Sequence, residues 1–340
     1  MPNLNSRPKI YVTRQIPPPG LDILAEHCDV TVHSDEKPPS RDEILRQIRG
    51  KDGLLCMLTD RVDAAIIDAA SKLRVVSSFS VGVDHIDVPE ATRRGVYITY
   101  TPGVLTDATA DLAFALLMAA ARRIAEADQY VRSGRWKAGW SPTILLGEGV
   151  YGKTLGVVGL GRIGEAVAKR ALGFRMRVLY YSRRRSPEKE MELGVEYCPL
   201  DALLKESDFV SLHIPLTEET RRLIDRERLK SMKRNAILIN TARGPVVDED
   251  ALAEALEKRW IAGAGLDVFS AEPLPAGSPF LKLRNVVLAP HIGSATNETR
   301  RRMSEISARN LLAVLKGEEP PHLFNPDVKK IRPLSKTKML

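Results

Sequence analysis

The stretch TLGVVGLGRIGEAVAKR, which begins at Thr154, joins an apolar run typical of a buried strand to an amphipathic helical pattern. Between them, glycines at positions 159, 161 and 164 have the spacing GxGxxG, which is specific only in this strand-to-helix context. Gly159 would permit a tight turn, Gly161 would let a pyrophosphate approach the backbone, and Gly164 would let the helix pack closely on the strand. We therefore predict a Rossmann-like unit that binds a dinucleotide at a helix N-terminus, rather than a turn without a ligand.

Short apolar runs alternate with helical patterns along most of the chain. The first series is KIYVT, DVTVH, GLLCML, RVVSSFSVG and VYITYTP. The second is TLGVVGLG, RVLYYS, FVSLHIP, AILINTA, AGLDVF and VVLAPHIG. Such alternation indicates parallel sheets covered by helices on both faces. Two series predict an α/β protein with two Rossmann-like, doubly wound parallel-sheet domains and an active-site cleft between them.

Helical patterns also fill the segments outside the two series. One runs from Asp107 to about Arg132 and is followed by an irregular segment that contains glycine and tryptophan. Another runs from about Thr296 to Leu315. In SRDEILRQIRG, we predict Ser40 as the N-cap and Gly50 as the C-cap of a helix.

Composition narrows the class of protein. The 340 residues, 44% of them hydrophobic, are enough for two cores. The formal net charge of +8 is scattered among acidic residues, which favours a solvated basic surface over a nucleic-acid interface. Three isolated cysteines without a CxxC motif argue against a disulfide framework or a metal site and for a reducing compartment. The longest apolar run, LAFALLMAAA, is too short to span a bilayer, and the N-terminus lacks an apolar signal core, so we expect a soluble, cytoplasmic protein without a membrane partner.

The strand after the glycine turn ends in YYSRRRSP, at the position where an acidic residue commonly binds the ribose 2′-hydroxyl. Here Ser182 could donate a hydrogen bond, and Arg183 and Arg184 could form forked bonds to a 2′-phosphate. Arg185 would point away, because three consecutive side chains cannot all face one group. The stretch favours NADP(H), with NAD(H) as the second choice if it is only a solvated basic loop.

Charged groups follow three later strands. They are Arg243 in ILINTARGPVVDEDAL, Asp267 and Glu272 in GAGLDVFSAEP, and His291 in VVLAPHIGSAT. Ligands bind at the carboxyl edge of doubly wound sheets. An arginine suits a substrate carboxylate, a histidine suits a proton donor, and a nearby glutamate would favour the protonated imidazole. Each residue alone could have an ordinary structural role, but with the glycine turn they indicate a catalytic site.

These motifs resemble the D-2-hydroxyacid dehydrogenase family, and within it the archaeal glyoxylate/hydroxypyruvate reductases. The resemblance extends from KIYVTRQIP to about PHLFNPDV and is strongest in SVGVDHIDVPEATRRGVYITYTPGVLTDATADLAFALL, VYGKTLGVVGLGRIGEAVAKRA, NTARGPVVDEDAL, GAGLDVF with EP, and LAPHIGSAT. It implies that Arg243, Glu272 and His291 form a catalytic trio. It further implies that Val81 and Gly82 lend backbone N–H groups to the substrate carboxylate. Trp140 would line the substrate pocket of its own or a neighbouring subunit.

The resemblance also implies the cofactor contacts and the domain organisation. The cofactor contacts would be Gly159, Leu160, Gly161, Arg162, Ile163, Gly164, Ser182, Arg183, Arg184, Pro215, Thr241, Ala242, Asp267, Ile292 and Gly293. Residues 1–102 plus 294–340 would form a discontinuous substrate-binding domain, and residues 103–293 the dinucleotide-binding domain. A C2 homodimer would bury the apolar helix from about Asp107 and the irregular arm after it.

The implied activity is hydride transfer from NAD(P)H to a small 2-oxo acid. Glyoxylate would give glycolate, and hydroxypyruvate would give D-glycerate. Alternatives are another member of the family, of the phosphoglycerate or D-lactate type, and a non-catalytic, corepressor-like protein that senses NAD(H). A nucleic-acid-binding protein is a third class, which rests only on the positive charge.

Overall fold

The computed structural model describes residues 7–340 and divides into two compact units, Met1–Leu105 with Ala295–Leu340, and Thr106–Ser294. The strands are β1 (Lys9–Val12), β2 (Asp29–Val32), β3 (Gly53–Cys56), β4 (Val75–Ser78), β5 (Tyr97–Thr99), β6 (Thr154–Val158), β7 (Arg177–Tyr181), β8 (Glu196–Tyr197), β9 (Phe209–Leu212), β10 (Ile237–Asn240), β11 (Gly263–Leu266) and β12 (Val286–Leu288).

The α-helices are α1 (Gly20–His27), α2 (Arg41–Gln47), α3 (Ala64–Ala69), α4 (Val88–Arg93), α5 (Thr106–Ala121), α6 (Ile124–Arg132), α7 (Arg162–Gly173), α8 (Pro187–Leu193), α9 (Leu200–Glu206), α10 (Arg226–Ser231), α11 (Glu249–Glu257), α12 (Asn297–Lys316) and α13 (Val328–Ile331). Short 3₁₀ turns are Gly244–Val246, Pro279–Lys282 and Leu334–Lys336. None of the helices within residues 7–340 combines the length and apolar character needed to cross a membrane.

The unit that contains the N-terminal strands has a five-stranded parallel sheet in the order β2-β1-β3-β4-β5. Strands β3 and β4 are buried along their whole length. Helix α12 packs against α1 and against β3, β4 and β5. On α2, Ser40 is the N-cap as predicted, and its hydroxyl accepts the N–H of Glu43 at 3.2 Å. The C-cap is Ile48 rather than the predicted Gly50.

The unit Thr106–Ser294 has a seven-stranded parallel sheet in the order β12-β11-β10-β9-β6-β7-β8. Alternate residues of a strand belong to two different hydrophobic cores, one on each face of the sheet, because successive side chains point to opposite faces. Val210 and Leu212 lie in a core with α9, α10 and α11, and Phe209 lies in a core with α5 and α7. Helices on both faces of two parallel sheets confirm the predicted α/β fold.

The order in which the chain adds strands to this sheet changes side at β6. The chain builds outward from β6 to β7 and β8, and then returns to place β9 on the other side of β6. In doubly wound sheets, the crevice at the carboxyl ends of the strands at such a switch point binds ligands. The glycine turn begins directly after β6, so it lies at this position.

One predicted element is different in the structure. The pattern from Asp107 to Arg132 forms two helices, α5 and α6, separated at Arg123, which has a left-handed φ of 54°. The break coincides with tertiary contacts to the end of α5. Glu148 donates its N–H to the Ala121 carbonyl at 2.8 Å, and a Cβ on Gly147 would lie 2.2 Å from the same oxygen. The short strand β8 has no counterpart in the prediction.

Candidate active site

The glycine turn after β6 depends on glycine at two positions for steric reasons. Gly159 has a φ of 100°, and a Cβ there would lie 2.5 Å from the carbonyl oxygen of His213. A Cβ on Gly164 would lie 2.1 Å from the Gly159 carbonyl oxygen, so a larger residue would push α7 away from β6. At Gly161, by contrast, a Cβ would meet no atom within 4 Å. The turn is therefore closed towards the sheet and open above Gly161.

The start of α7 has the properties of an anion-binding site. Gly161 is the N-cap residue and has no side chain to satisfy the first N–H groups of the helix, which lack acceptors within it. Arg162 and Ile163 form the first turn. At the end of β10, the hydroxyl oxygen of Thr241 is buried and has no hydrogen-bond partner within residues 7–340. Open space, uncapped N–H groups and an orphaned hydroxyl fit a dinucleotide cofactor at this edge of the sheet.

Ser182, directly after β7, is bound to the glycine turn. Its hydroxyl oxygen accepts the N–H of Leu160 at 2.9 Å, which leaves the hydroxyl proton available for donation. Arg183 and Arg184 are exposed. Arg185 instead pairs with Glu190 at 2.7 Å, and this contact, with a hydrogen bond from Tyr180, lowers the pKa of Glu190 to about 2.

His291 and Glu272 form a hydrogen-bonded pair. His291 Nδ1 lies 2.7 Å from Glu272 Oε2, and the N–H of Phe269 donates to Glu272 Oε1 at 2.9 Å. Burial alone would raise the pKa of Glu272, but the hydrogen bonds from His291 and Phe269 and the nearby charge of Arg243 outweigh burial, and the pKa is lowered. Glu272 therefore stays ionised near neutral pH. The pairing at Nδ1 leaves Nε2 as the nitrogen that can face a substrate.

The loop of His291 is held by Asp267, at the end of β11. The N–H of His291 donates to the Asp267 carbonyl at 2.8 Å, and the N–H groups of Ile292 and Gly293 donate to the two carboxylate oxygens at 2.7 and 2.8 Å. Asp267 is 1% exposed, and burial raises the pKa of its carboxyl although these N–H groups oppose the shift. His291 has a left-handed φ of 55°, so the carboxylate fixes an uncommon backbone conformation. The sequence predicted Asp267 only as a cofactor contact and carried no signal for this role.

Arg243 belongs to the loop that follows β10. Asn240 shapes that loop, because its side chain accepts the N–H of Ala242 at 3.0 Å and donates to the Arg243 carbonyl at 2.9 Å. The next residue, Gly244, packs on the β11 loop so closely that a Cβ would lie 2.0 Å from the Phe269 carbonyl carbon. The structure thus brings the predicted trio together at the carboxyl ends of β10, β11 and β12. Asn240 had no signal in the sequence beyond its position at the end of a strand.

Comparison with known proteins assigns the family. Residues 114–293 match the family described as D-isomer specific 2-hydroxyacid dehydrogenase, NAD binding domain. The chain belongs to the D-isomer specific 2-hydroxyacid dehydrogenase family. The resemblance inferred from the sequence is confirmed. This dehydrogenase therefore uses a nicotinamide cofactor and acts on a small 2-oxo or 2-hydroxy acid.

Several relatives match this dehydrogenase over nearly its full length. It is 58% identical to a protein named glyoxylate reductase from Korarchaeum cryptofilum, over 96% of this chain and 98% of that protein. A glyoxylate reductase from Thermofilum pendens is also 58% identical, over 98% and 99% of the two chains. A solved structure of a protein from Thermus thermophilus is 52% identical, with a TM-score of 0.88 over 93% and 99%. The NADPH-dependent glyoxylate/hydroxypyruvate reductase of Sinorhizobium meliloti, solved with NADP and malonate, is 34% identical, with a TM-score of 0.85 over 95% and 98%.

The predicted substrate contacts lie outside the loops that carry the trio. Val81 and Gly82 are half-buried in the loop after β4, and Ser80 donates its hydroxyl to the Gly82 carbonyl at 2.6 Å. Trp140 lies in the irregular arm after α6 and is 83% exposed. Pro215 is exposed beyond the end of β9. The substrate contacts of Val81, Gly82 and Trp140 and the cofactor contact of Pro215 stay predictions.

Proposed function

We propose that this dehydrogenase is a glyoxylate reductase that also accepts hydroxypyruvate, with NADPH as the preferred reductant. The observation that carries the proposal is the His291–Glu272 pair at 2.7 Å, with Arg243 acting on the same carboxylate. This arrangement occurs in a chain that is 58% identical to proteins named glyoxylate reductase. The products would be glycolate and D-glycerate.

The proposed mechanism assigns one task to each group. Arg243 and the N–H groups of Val81 and Gly82 bind the substrate carboxylate and orient the carbonyl. When bound, the reduced nicotinamide supplies the hydride that adds to the carbonyl carbon. His291 donates a proton to the carbonyl oxygen as negative charge develops there, and the carboxylate of Glu272 stabilises the imidazolium before transfer. Reduction thus consumes one hydride and one proton, and oxidation of the 2-hydroxy acid reverses both transfers.

We propose that the two units have the roles predicted for the two domains. The glycine turn, Ser182 and Thr241 all belong to the unit Thr106–Ser294, which supports dinucleotide binding by residues 103–293. Val81 and Gly82 belong to the other unit, which supports a substrate-binding role for residues 1–102 plus 294–340.

The substrate class is tested by kcat/KM for a panel of 2-oxo acids with NADPH and with NADH. We expect glyoxylate to rank first and hydroxypyruvate to follow. A higher kcat/KM for pyruvate or for phosphohydroxypyruvate would favour the D-lactate or phosphoglycerate type of enzyme. Binding of the dinucleotide without turnover of any acid would favour the corepressor-like alternative.

The proposed preference for NADPH rests on the end of β7. Ser182 keeps a proton to donate, Arg183 and Arg184 are exposed beside it, and no carboxylate follows the strand directly to repel a 2′-phosphate. Replacing Ser182 by Asp together with Arg183 by Ala should shift the NADPH/NADH ratio of kcat/KM by on the order of a hundredfold towards NADH. Arg185→Ala is the matched control, because Arg185 is paired with Glu190, and it should leave the ratio unchanged. A constant ratio in the double variant would mean that the stretch is only a basic loop.

We also propose the predicted homodimer, but we expect α6 and the arm after it, rather than α5, to form its interface. Helix α5 buries much of its surface within its own unit, against α7, β10 and β11. The exposed apolar surface lies instead on α6 and the arm after it, which carry Ile124, Val131, Trp136, Trp140 and Leu146. Light scattering at micromolar concentration should give twice the 37.6 kDa mass of the chain. A species of 37.6 kDa alone would exclude the dimer.

A further inference from the structure

Lys189, on α8, lies against the glycine turn rather than on a separate surface. Its Nζ donates to the Leu160 carbonyl at 3.3 Å and pairs with Glu165 in the first turn of α7. The hydroxyl of Ser182 binds the N–H of the same residue, Leu160, at 2.9 Å. Ser182 and Lys189 therefore bind the same residue of the glycine turn, Ser182 at its N–H and Lys189 at its carbonyl.

The contacts of Lys189 with Leu160 and Glu165 leave one N–H group of its ammonium for a ligand. A lysine has three N–H groups, and the contacts with Leu160 and Glu165 use two of them. The side chain is 34% exposed, so the third N–H group can reach a ligand without displacement of the other two. The two contacts also fix the direction of a side chain that would otherwise be flexible, and this lowers the entropy cost of binding an anion.

We infer that Lys189 is a specificity-determining residue that binds the 2′-phosphate of NADP(H) together with Ser182 and Arg183. The inference rests on the proposed preference for NADPH. The ribose 2′-position of a dinucleotide bound at the glycine turn lies at the end of β7, where Ser182 is located. An ammonium fixed on the residue that Ser182 also binds can donate a charge-assisted hydrogen bond to a 2′-phosphate. The 2′-hydroxyl of NAD(H) carries no negative charge, so it would be bound less strongly. Lys189 lies seven positions beyond Ser182, on the next helix, so no local motif in the sequence marks it.

Binding of two nucleotides to the full-length protein tests this role without turnover. The probes are 2′,5′-ADP, which carries the 2′-phosphate, and 5′-AMP, which lacks it, and isothermal titration calorimetry gives Kd for both. In Lys189→Gln we expect the Kd for 2′,5′-ADP to rise about tenfold, the loss of one charge-assisted contact, and the Kd for 5′-AMP to change less than twofold. Lys189→Arg keeps the charge and should keep the discrimination within about threefold of wild type.

Lys169→Gln is the matched control, because it removes one positive charge from α7, where Lys169 lies 4.0 Å from Glu192. It should leave both affinities unchanged. Equal weakening of 2′,5′-ADP and 5′-AMP by Lys189→Gln would show that Lys189 only supports the glycine turn, and unchanged discrimination would remove it from the site. Both results overturn the inference and leave the proposed function intact. If the wild-type protein binds 2′,5′-ADP no more tightly than 5′-AMP, the NADPH preference itself is wrong.

Discussion

Replacing Asp267 by Asn isolates the role of the carboxylate that holds the His291 loop. In the wild-type protein the two carboxylate oxygens accept the N–H groups of Ile292 and Gly293 at 2.7 and 2.8 Å. An asparagine has one acceptor oxygen and an NH₂ group of the same shape. One of the two backbone N–H groups would then face another donor, in a place where the side chain is 1% exposed and water cannot substitute.

The expected cost follows from these contacts. Hydrogen bonds to a charged group contribute about 1.5–3 kcal/mol, and a buried donor left without a partner costs about 1–3 kcal/mol. With one bond lost and one N–H group unsatisfied, the free energy of unfolding should fall by about 3 kcal/mol. The loop can relieve the conflict only by moving, and a shift of about 1 Å in a catalytic group can cost about a hundredfold in rate. We therefore expect kcat/KM for glyoxylate to fall about a hundredfold in Asp267→Asn.

Asp208→Asn is the matched control for the stability effect. Asp208 is also a buried carboxylate of the same sheet, and it accepts the N–H of Thr154 at 3.0 Å and the ammonium of Lys233 at 2.9 Å. It precedes β9, at the amino edge of the sheet, whereas Asp267 and His291 follow their strands at the carboxyl edge.

Urea unfolding and steady-state kinetics of both variants should separate the two effects. Both variants should lose stability, and only Asp267→Asn should lose more than threefold in kcat/KM while still folded. Activity of Asp267→Asn within twofold of wild type would refute the argument that Asp267 positions His291.

Three further predictions concern single residues. Arg243→Ala should weaken both binding and turnover of glyoxylate, and Arg243→Lys should keep only part of the activity because lysine lacks the forked guanidinium. A kcat/KM of Arg243→Ala within twofold of wild type would remove Arg243 from the site. Glu272→Gln should lower kcat/KM for glyoxylate, because the neutral amide stabilises the imidazolium and orients the His291 ring less well than the carboxylate. A kcat/KM within twofold of wild type would show that the pair does not act in proton transfer. Burial lowers the pKa of His213 from 6.5 to about 3, so the unfolded chain binds more protons between these values and stability should fall as pH falls through this window. The free energy of unfolding, measured with urea at several pH values, should change by at most about 1.4 kcal/mol per pH unit because of His213. His213→Gln should remove this dependence.

Local patterns in the sequence predicted the elements that bear the candidate site. The apolar runs predicted the strands of both sheets except β8, because parallel strands are buried on both faces, and the glycine spacing marked the turn after β6. The charged residues at strand ends were predicted to meet because the carboxyl ends of parallel strands share one edge.

Features that depend on tertiary contacts were not predictable in this way. The break between α5 and α6 coincides with contacts from Gly147 and Glu148 to the Ala121 carbonyl, 26 and 27 residues along the chain. The roles of Asp267 and Lys189 depend on loop conformations that bring their side chains to backbone groups 25 to 29 residues away in sequence. No local periodicity carries that information.

The proposed proton donor, its carboxylate partner and the glycine turn all lie in one continuous segment, between Gly159 and His291. That segment is therefore a self-contained chemical module, separable from the chain segments that carry Val81 and Gly82. Exchange of the loops of the N-terminal unit for those of another member of the family should change which acid is accepted without rebuilding the proton-transfer pair. Changes of cofactor should likewise be confined to the end of β7 and the start of α8. Selectivity for the acid and selectivity for the cofactor can then be altered independently, by recombination rather than by redesign of the catalytic residues.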